Sequence, residues 1–184
     1  MTDTPLPYPD PALGDGQVGL RRWRESDVEC IRLAGTDPRI TAATTVPVEG
    51  TPEEAIAFIR RQWSRADERE GVSLAVVDVD DDRAVGLVWV ALRPQQHVGG
   101  LGYWVVPPAR GRGVATAAVR LVVPWALEAL HLQRLEAWVE PDNLASQRTL
   151  LSAGFALEGR LRSILTLGGR PSDALVFSVV GPGA

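Results

Sequence analysis

Apolar and polar positions along this chain switch between two periods, and the switches mark out its elements. Ile56, Ile59, Trp63 and Ala66 recur at helical spacing, which predicts a helix with one face packed inward. Its start is explicit in Thr51-Pro52-Glu53-Glu54: Thr51 can cap, Pro52 suits the first helical position, and Glu54 stands where the reciprocal carboxylate belongs. Ser26-Asp27-Val28-Glu29 predicts a second capping box, opening a helix that runs to about Gly35. Ser73 to Val79 and Ala84 to Leu92 are Val- and Leu-rich strands around an Asp80-Asp81-Asp82 turn. That acidic triplet is a hairpin tip rather than a metal site, since three adjacent residues do not converge on one point.

Leu101 to Val106 is a further strand, stopped by Pro107-Pro108. A long helix is predicted from Gly113 to Leu130, with Ala115, Ala118, Val119, Val122, Ala126 and Leu130 inward and Pro124 as a kink point. Leu135 to Val139 is a strand, and Asn143 or Asp142 caps a shorter helix that ends at Gly154. Leu161 to Leu167 and Ala174 to Val180 form a closing hairpin around Gly168-Gly169-Arg170-Pro171. The order implies one α/β domain of mixed sheet, residues 20–184, behind a flexible, Pro- and Gly-rich lead-in over residues 1–19.

Bulk composition narrows the function. Apolar residues are 45% and charged residues 23% of 184 positions, as in one globular domain. A net charge of -4 argues against a nucleic-acid surface. The start has no basic n-region or apolar h-region, and no run is long enough to span a membrane. The single Cys30 leaves no disulfide framework or cysteine metal cluster. No metal is expected, and the location expected is cytoplasmic.

The chemistry concentrates where the third strand gives way to the long helix. Free N–H groups at a helix start, with the positive end of its dipole, make an anion site. In Arg110-Gly111-Arg112-Gly113-Val114-Ala115-Thr116 the glycines remove side chains that would block a phosphate, small residues let a ligand lie on the first turn, and the arginines add charge. A dinucleotide fingerprint is the rival reading, with Glu136 downstream, but Thr116 stands where its third glycine belongs. It predicts NAD binding and no coenzyme A binding.

Over nearly its whole length the sequence resembles the GNAT acyltransferases, in the branch of ribosomal-protein N-terminal acetyltransferases (RimJ/RimL-like). Leu20-Arg21-Arg22-Trp23-Arg24-Glu25-Ser26-Asp27 is similar to that branch's opening strand and helix, and Gly102-Tyr103-Trp104-Val105 to its central strand. Arg110-x-x-Gly113-x-Ala115 matches the superfamily signature. Pro141-Asp142-Asn143-Leu144-Ala145-Ser146, Ala153-Gly154-Phe155 and Glu158-Gly159 complete the series.

The resemblance implies a single-domain GNAT fold, a mostly antiparallel twisted sheet flanked by helices. It implies acetyl-CoA as acyl donor and an amine as acceptor. Backbone N–H groups from Arg112 to Thr116 would hold the pyrophosphate. Backbone of Trp104, Val105 and Val106 would pair with the pantetheine arm, Asn143 would contact it or position the reacting groups, and Ser146 would sit near the sulfur. Many members carry a glutamate base where this chain has Gly100, and a tyrosine acid where it has Leu150. His97, Glu140 and Asp142 are then the candidate bases, His97 having the right intrinsic pKa. Cys30 and His131 read as structural.

The leading acceptor is a protein N-terminal α-amine, attacked directly in a ternary complex. A small-molecule amine, including an antibiotic, is the rival, and a non-catalytic acyl-CoA-binding regulatory domain is the reading from a different class. Homodimerisation stays open.

Overall fold

The computed structural model describes residues 4–181. One sheet of eight strands organises it: β1 (Leu13–Gly14), β2 (Val18–Arg21), β3 (Gly71–Asp78), β4 (Arg83–Leu92), β5 (Val98–Val105), β6 (Arg134–Val139), β7 (Ala156–Leu167) and β8 (Arg170–Val180). Their spatial order is β1-β2-β3-β4-β5-β6-β8-β7. Every pairing is antiparallel except β5 with β6. That parallel pair needs a crossover, and α4 (Val114–Ala129) supplies it.

The other helices are α1 (Val28–Gly35), α2 (Pro38–Ala43), α3 (Pro52–Asp67) and α5 (Leu144–Ser152). β3 is buried at every position but its last, the mark of a strand covered on both faces. α3 packs on β3 itself, while α4 packs on β2 and β4 beside it. β6 instead alternates, with Leu135, Ala137 and Val139 buried and Glu136 and Trp138 half-buried, so its second face is left for a site.

The capping box of α3 is formed: Glu54 N–H donates to Thr51 Oγ1 (3.3 Å) and Thr51 N–H to Glu54 Oε2 (2.8 Å). Its buried stripe runs through Ala55, Phe58, Ile59, Gln62 and Ala66, with Trp63 at the margin. Trp63 stays there because its Nε1–H donates to Trp23 O at 2.9 Å.

The first helix begins differently from expectation. A 3-10 turn, Glu25–Asp27, precedes α1, and in place of a Ser26–Glu29 box the capping bond runs from the Arg24 N–H to the Asp27 carboxylate. Asp27 is fixed by Arg21, whose two Nη atoms donate to its carboxylate at 2.9 Å in a buried fork. A buried guanidinium needs such a partner, and that need sets the turn. Asp82 also pairs with Arg21 and Arg24, so the acidic hairpin tip clamps the opening strand. The long helix runs from Val114 through Pro124 to Ala129.

The segment expected to be a flexible lead-in contributes to the fold over its described part. Leu6 is buried, with its N–H on Ala66 O (2.9 Å), and β1 pairs with β2. α2, unforeseen in the sequence, opens at Asp37-Pro38 with Asp37 Oδ1 accepting the Arg39 N–H at 2.8 Å. Cys30 is buried at the edge of the core beside the Arg21–Asp27 pair, and burial and then the Asp27 charge push its thiol pKa up, as suits a packing residue.

Candidate active site

The parallel pair opens into a wedge. β5 and β6 are in register only at Val98 with Arg134, Gly99 with Leu135 and Gly100 with Glu136. Beyond these positions both strands continue, to Val105 and Val139, without a shared ladder. A cavity of about 750 Å³ lies there, lined by Leu101 to Trp104 of β5, Ala137 to Glu140 around the end of β6, and residues of α2, α3, α5 and β7.

Which backbone groups face the wedge follows from one bond. Val106 N–H donates to Val85 O at 2.9 Å. Paired residues of an antiparallel ladder share bonds at every second position, so Trp104 and Val106 turn their backbone toward β4. Tyr103 and Val105 turn theirs toward the wedge. Val106 O also accepts the Ala109 N–H (3.0 Å). The sequence expectation for Trp104 and Val106 is therefore corrected: both spend their polar backbone on the sheet or the turn after it. The Trp104 ring still walls the cavity, packed 6.3 Å from that of Trp23.

At the end of β5 the glycine turn makes a cradle. Gly111 and Gly113 have φ of +75° and +79°, and a Cβ on either would meet nothing within 4 Å. Gly113 is the N-cap of α4 and offers no side chain to its N–H groups. The first intrahelical donor to Gly113 O is Ala117, which leaves those of Val114, Ala115 and Thr116 for an outside acceptor. This donor set, unobstructed by side chains and at a positive dipole end, fits a pyrophosphate.

Arg110 does not add its charge there. Its Nε donates to Val105 O at 2.8 Å and its Nη2 pairs with Asp37 Oδ2 at 2.5 Å. Against burial, which would raise the Asp37 pKa, the Arg39 N–H and the Arg110 guanidinium hold it below the usual carboxylate range. Arg110 thus ties the central strand to α2. Arg112, exposed and 3.7 Å from Asp78, is the outward cation of the cradle.

α5 brings the second part of the site. Asn143 Oδ1 accepts the Ser146 N–H at 3.1 Å, which makes Asn143 rather than Asp142 the cap. Both Asn143 and Ser146 line the cavity. Ser146 Oγ lies 2.7 Å from Tyr103 Oη, a contact that sequence reasoning missed because it joins two distant segments. Burial pushes the Tyr103 pKa up to about 12, against the opposing hydrogen bonds to Ser146 and Thr149. The phenol is therefore neutral at physiological pH, with a proton to donate.

The two departures from the family pattern have physical counterparts. Leu150 is fully buried in the core. Beside Gly100 a Cβ would lie 2.8 Å from Arg93 Nε, so a cation fills the space of the usual glutamate. That guanidinium stacks 4.4 Å from the Trp138 ring. Glu140 and Asp142 line the cavity; His97 does not. His97 precedes β5 at the end away from the wedge, with φ +60° and Nδ1 2.9 Å from His131 O. Its carbonyl accepts the Gln133 and Arg134 N–H groups. His97 is corrected from candidate base to a residue that locks the strand ends.

Residues 17–156 match the model of the acetyltransferase (GNAT) domain. An uncharacterised N-acetyltransferase of Bacillus subtilis, YoaA, is 30% identical over 173 residues, covering 94% of this chain and 98% of that one. Among solved structures, RimJ of Mycobacterium smegmatis in complex with CoA-disulfide superposes with a TM-score of 0.80 at 23% identity, covering 92% of this chain and 87% of that one. The ribosomal-protein-S5-alanine acetyltransferase of Vibrio fischeri gives a TM-score of 0.74 at 22% identity, covering 92% and 96%. Among the described residues no three or more His, Cys, Asp and Glu side chains come together to hold a metal ion, and no helix is long and apolar enough to cross a membrane. With its parallel-strand wedge, glycine cradle and matching domain, the chain belongs to the GNAT family of N-acetyltransferases.

Proposed function

We propose that this chain transfers an acetyl group from acetyl-CoA to a protein N-terminal α-amine, by direct attack within a ternary complex. The observation that carries this is the Ser146 hydroxyl held by Tyr103 beside a wedge in which the central strand, past Gly100, has no ladder to β6. Acetyl-CoA supplies an activated thioester and a thiolate leaving group. The N–H groups of Val114, Ala115 and Thr116 would hold its pyrophosphate, with Arg112 adding charge. The wedge-facing backbone of Tyr103 and the N–H of Val105, whose carbonyl already accepts from Arg110, would pair with its extended arm, as an added strand does. Donors on that strand also polarise the acyl oxygen.

Tyr103 has one phenolic proton. Two acceptors on one residue share it, Ser146 Oγ at 2.7 Å and Ser146 O at 3.2 Å; when Oγ takes it, the serine hydrogen turns outward, toward the position of the sulfur, where it steadies developing negative charge. Tyr103 is thus a positioning residue for Ser146. Glu140 and Asp142 are the carboxylates available to take the amine proton, directly or through water. Likeness to acetyltransferases named for ribosomal proteins supports a protein N-terminus as acceptor. The test is release of free coenzyme A thiol with an amine panel, with mass-spectrometric location of the acetyl group. Thiol release with small amines and none with free peptide N-termini would overturn the acceptor assignment.

The serine and tyrosine make a separate prediction. Ser146→Ala should lower kcat roughly tenfold with little change in KM for acetyl-CoA, the signature of an interaction made in the transition state. Tyr103→Phe should lose part of that effect, and the double variant should be no slower than Ser146→Ala alone. Additive losses would separate the two residues, and a change confined to KM would make Ser146 a donor contact only.

A further inference from the structure

Two cationic side chains line the cavity, Arg65 of α3 and Arg39 of α2. Arg39 is exposed, whereas Arg65 is half-buried. Two other enclosed arginines face carboxylates: Arg21 meets Asp27 and Asp82, and Arg134 meets Glu136 and Glu158. Arg93, stacked on Trp138, meets none among the described residues, but it does not line the cavity. The Arg65 guanidinium makes no ion pair or side-chain hydrogen bond with any described residue. Its support is the Trp89 ring, 4.4 Å from Cζ, a cation–π contact that leaves its N–H edge unspent.

Trp89 places that cation relative to the chemistry. It is in register with Gly102 of the central strand, and a Cβ at Gly102 would lie only 3.8 Å from Trp89 Cδ1. The guanidinium is therefore separated from the wall of the wedge by one indole ring. A planar fork with an unspent edge matches a carboxylate. Glu140 and Asp142 border the same cavity, so it carries both signs, as an acceptor with an amine and an acid group requires.

We propose that Arg65 selects the acceptor by pairing with a carboxylate near its reacting amine, so that the preferred substrate is a peptide whose first or second residue is Asp or Glu. This rests on the α-amine reading above. The experiment compares kcat/KM for matched free-N-terminus peptides carrying Glu or Gln at these positions, with wild type, Arg65→Met and Arg65→Lys. Wild type should favour the Glu peptides about tenfold or more, the worth of one charge-assisted bond. Arg65→Met keeps the apolar stem on Trp89 and should bring the ratio toward one, while Arg65→Lys should restore part of it. High salt should shrink the wild-type ratio.

An equal rate for Glu and Gln peptides in wild type, or a preference that survives in Arg65→Met, would overturn the assignment. Thermal melts and the KM for acetyl-CoA guard against a misfolded variant, and Arg65→Lys keeps the test decisive if Arg65→Met does not fold. Turnover of free Asp or Glu but of no peptide, lost in Arg65→Met, would uphold the pairing while overturning the protein N-terminus as acceptor.

Discussion

At pH 7 a peptide with a free N-terminus and no lysine should be acetylated more than about a hundredfold faster than an N-blocked peptide whose only amine is lysine. An amine attacks only when neutral. With a pKa of about 7.8 an α-amine costs about 1 kcal/mol to deprotonate at pH 7; a lysine at about 10.4 costs roughly 4.6 kcal/mol. A strong base would erase much of this difference. Here the glutamate of the family pattern is replaced by Gly100, and Arg93 fills the space beside it. A cation there favours the neutral amine but takes no proton. The preference should narrow as pH rises toward 10, because lysine then deprotonates unaided. The chain contains no lysine, all its Lys and Arg positions being Arg, so acetyl-lysine detected in such an assay comes from the peptide. Faster turnover of the blocked lysine peptide near neutrality would reject the α-amine assignment.

Gly113→Val should weaken coenzyme A binding by about a hundredfold, equivalent to about 2.8 kcal/mol, or one to two charge-assisted hydrogen bonds. The Gly113 side-chain position is open, and its φ is +79°. A branched side chain would both occupy the cradle and resist that φ. Strain alone should lower stability by about 1–2 kcal/mol. Gly16→Val is the control, since Gly16 has φ +92° and open space in the β1–β2 turn. It should carry similar strain and leave affinity unaltered. Calorimetry of both variants, with circular dichroism for folding, decides. An affinity within a few-fold of wild type for Gly113→Val would remove the cradle as the phosphate site.

Local features were legible in the sequence because their causes are local. The Thr51 cap, the Asn143 cap, the glycine turn and the succession of strands from Ser73 onward each depend on residues close in the chain. Features that depend on distant partners were not. Ser26 looked like a cap until the buried Arg21 claimed Asp27 for the turn. Arg110 looked like a phosphate ligand, but Asp37 and Val105 O hold it. His97 has a pKa suited to a base, yet the topology puts it at the closed end of the strand pair. Tyr103 was visible only as part of Gly-Tyr-Trp, and nothing in that motif shows Ser146 lying opposite. Backbone phase was equally hidden: the Val106–Val85 bond assigns the wedge to Tyr103 and Val105 rather than to Trp104 and Val106.

The three paired positions between β5 and β6 also divide the molecule mechanically. One leaf is the five-stranded β1–β5 unit and the other the three-stranded β6–β8 unit, joined by a short seam that α4 buttresses through its packing on β4, β5 and β6. Small rotations about α4 would widen or narrow the wedge while each leaf keeps its own ladders intact. Amide hydrogen exchange should therefore report the seam before either leaf, with the wedge-facing amides of Tyr103 and Val105 exchanging ahead of those of β3 and β4. A chain bridging the wedge would act as a splint across this joint, slowing exchange on both of its sides at once.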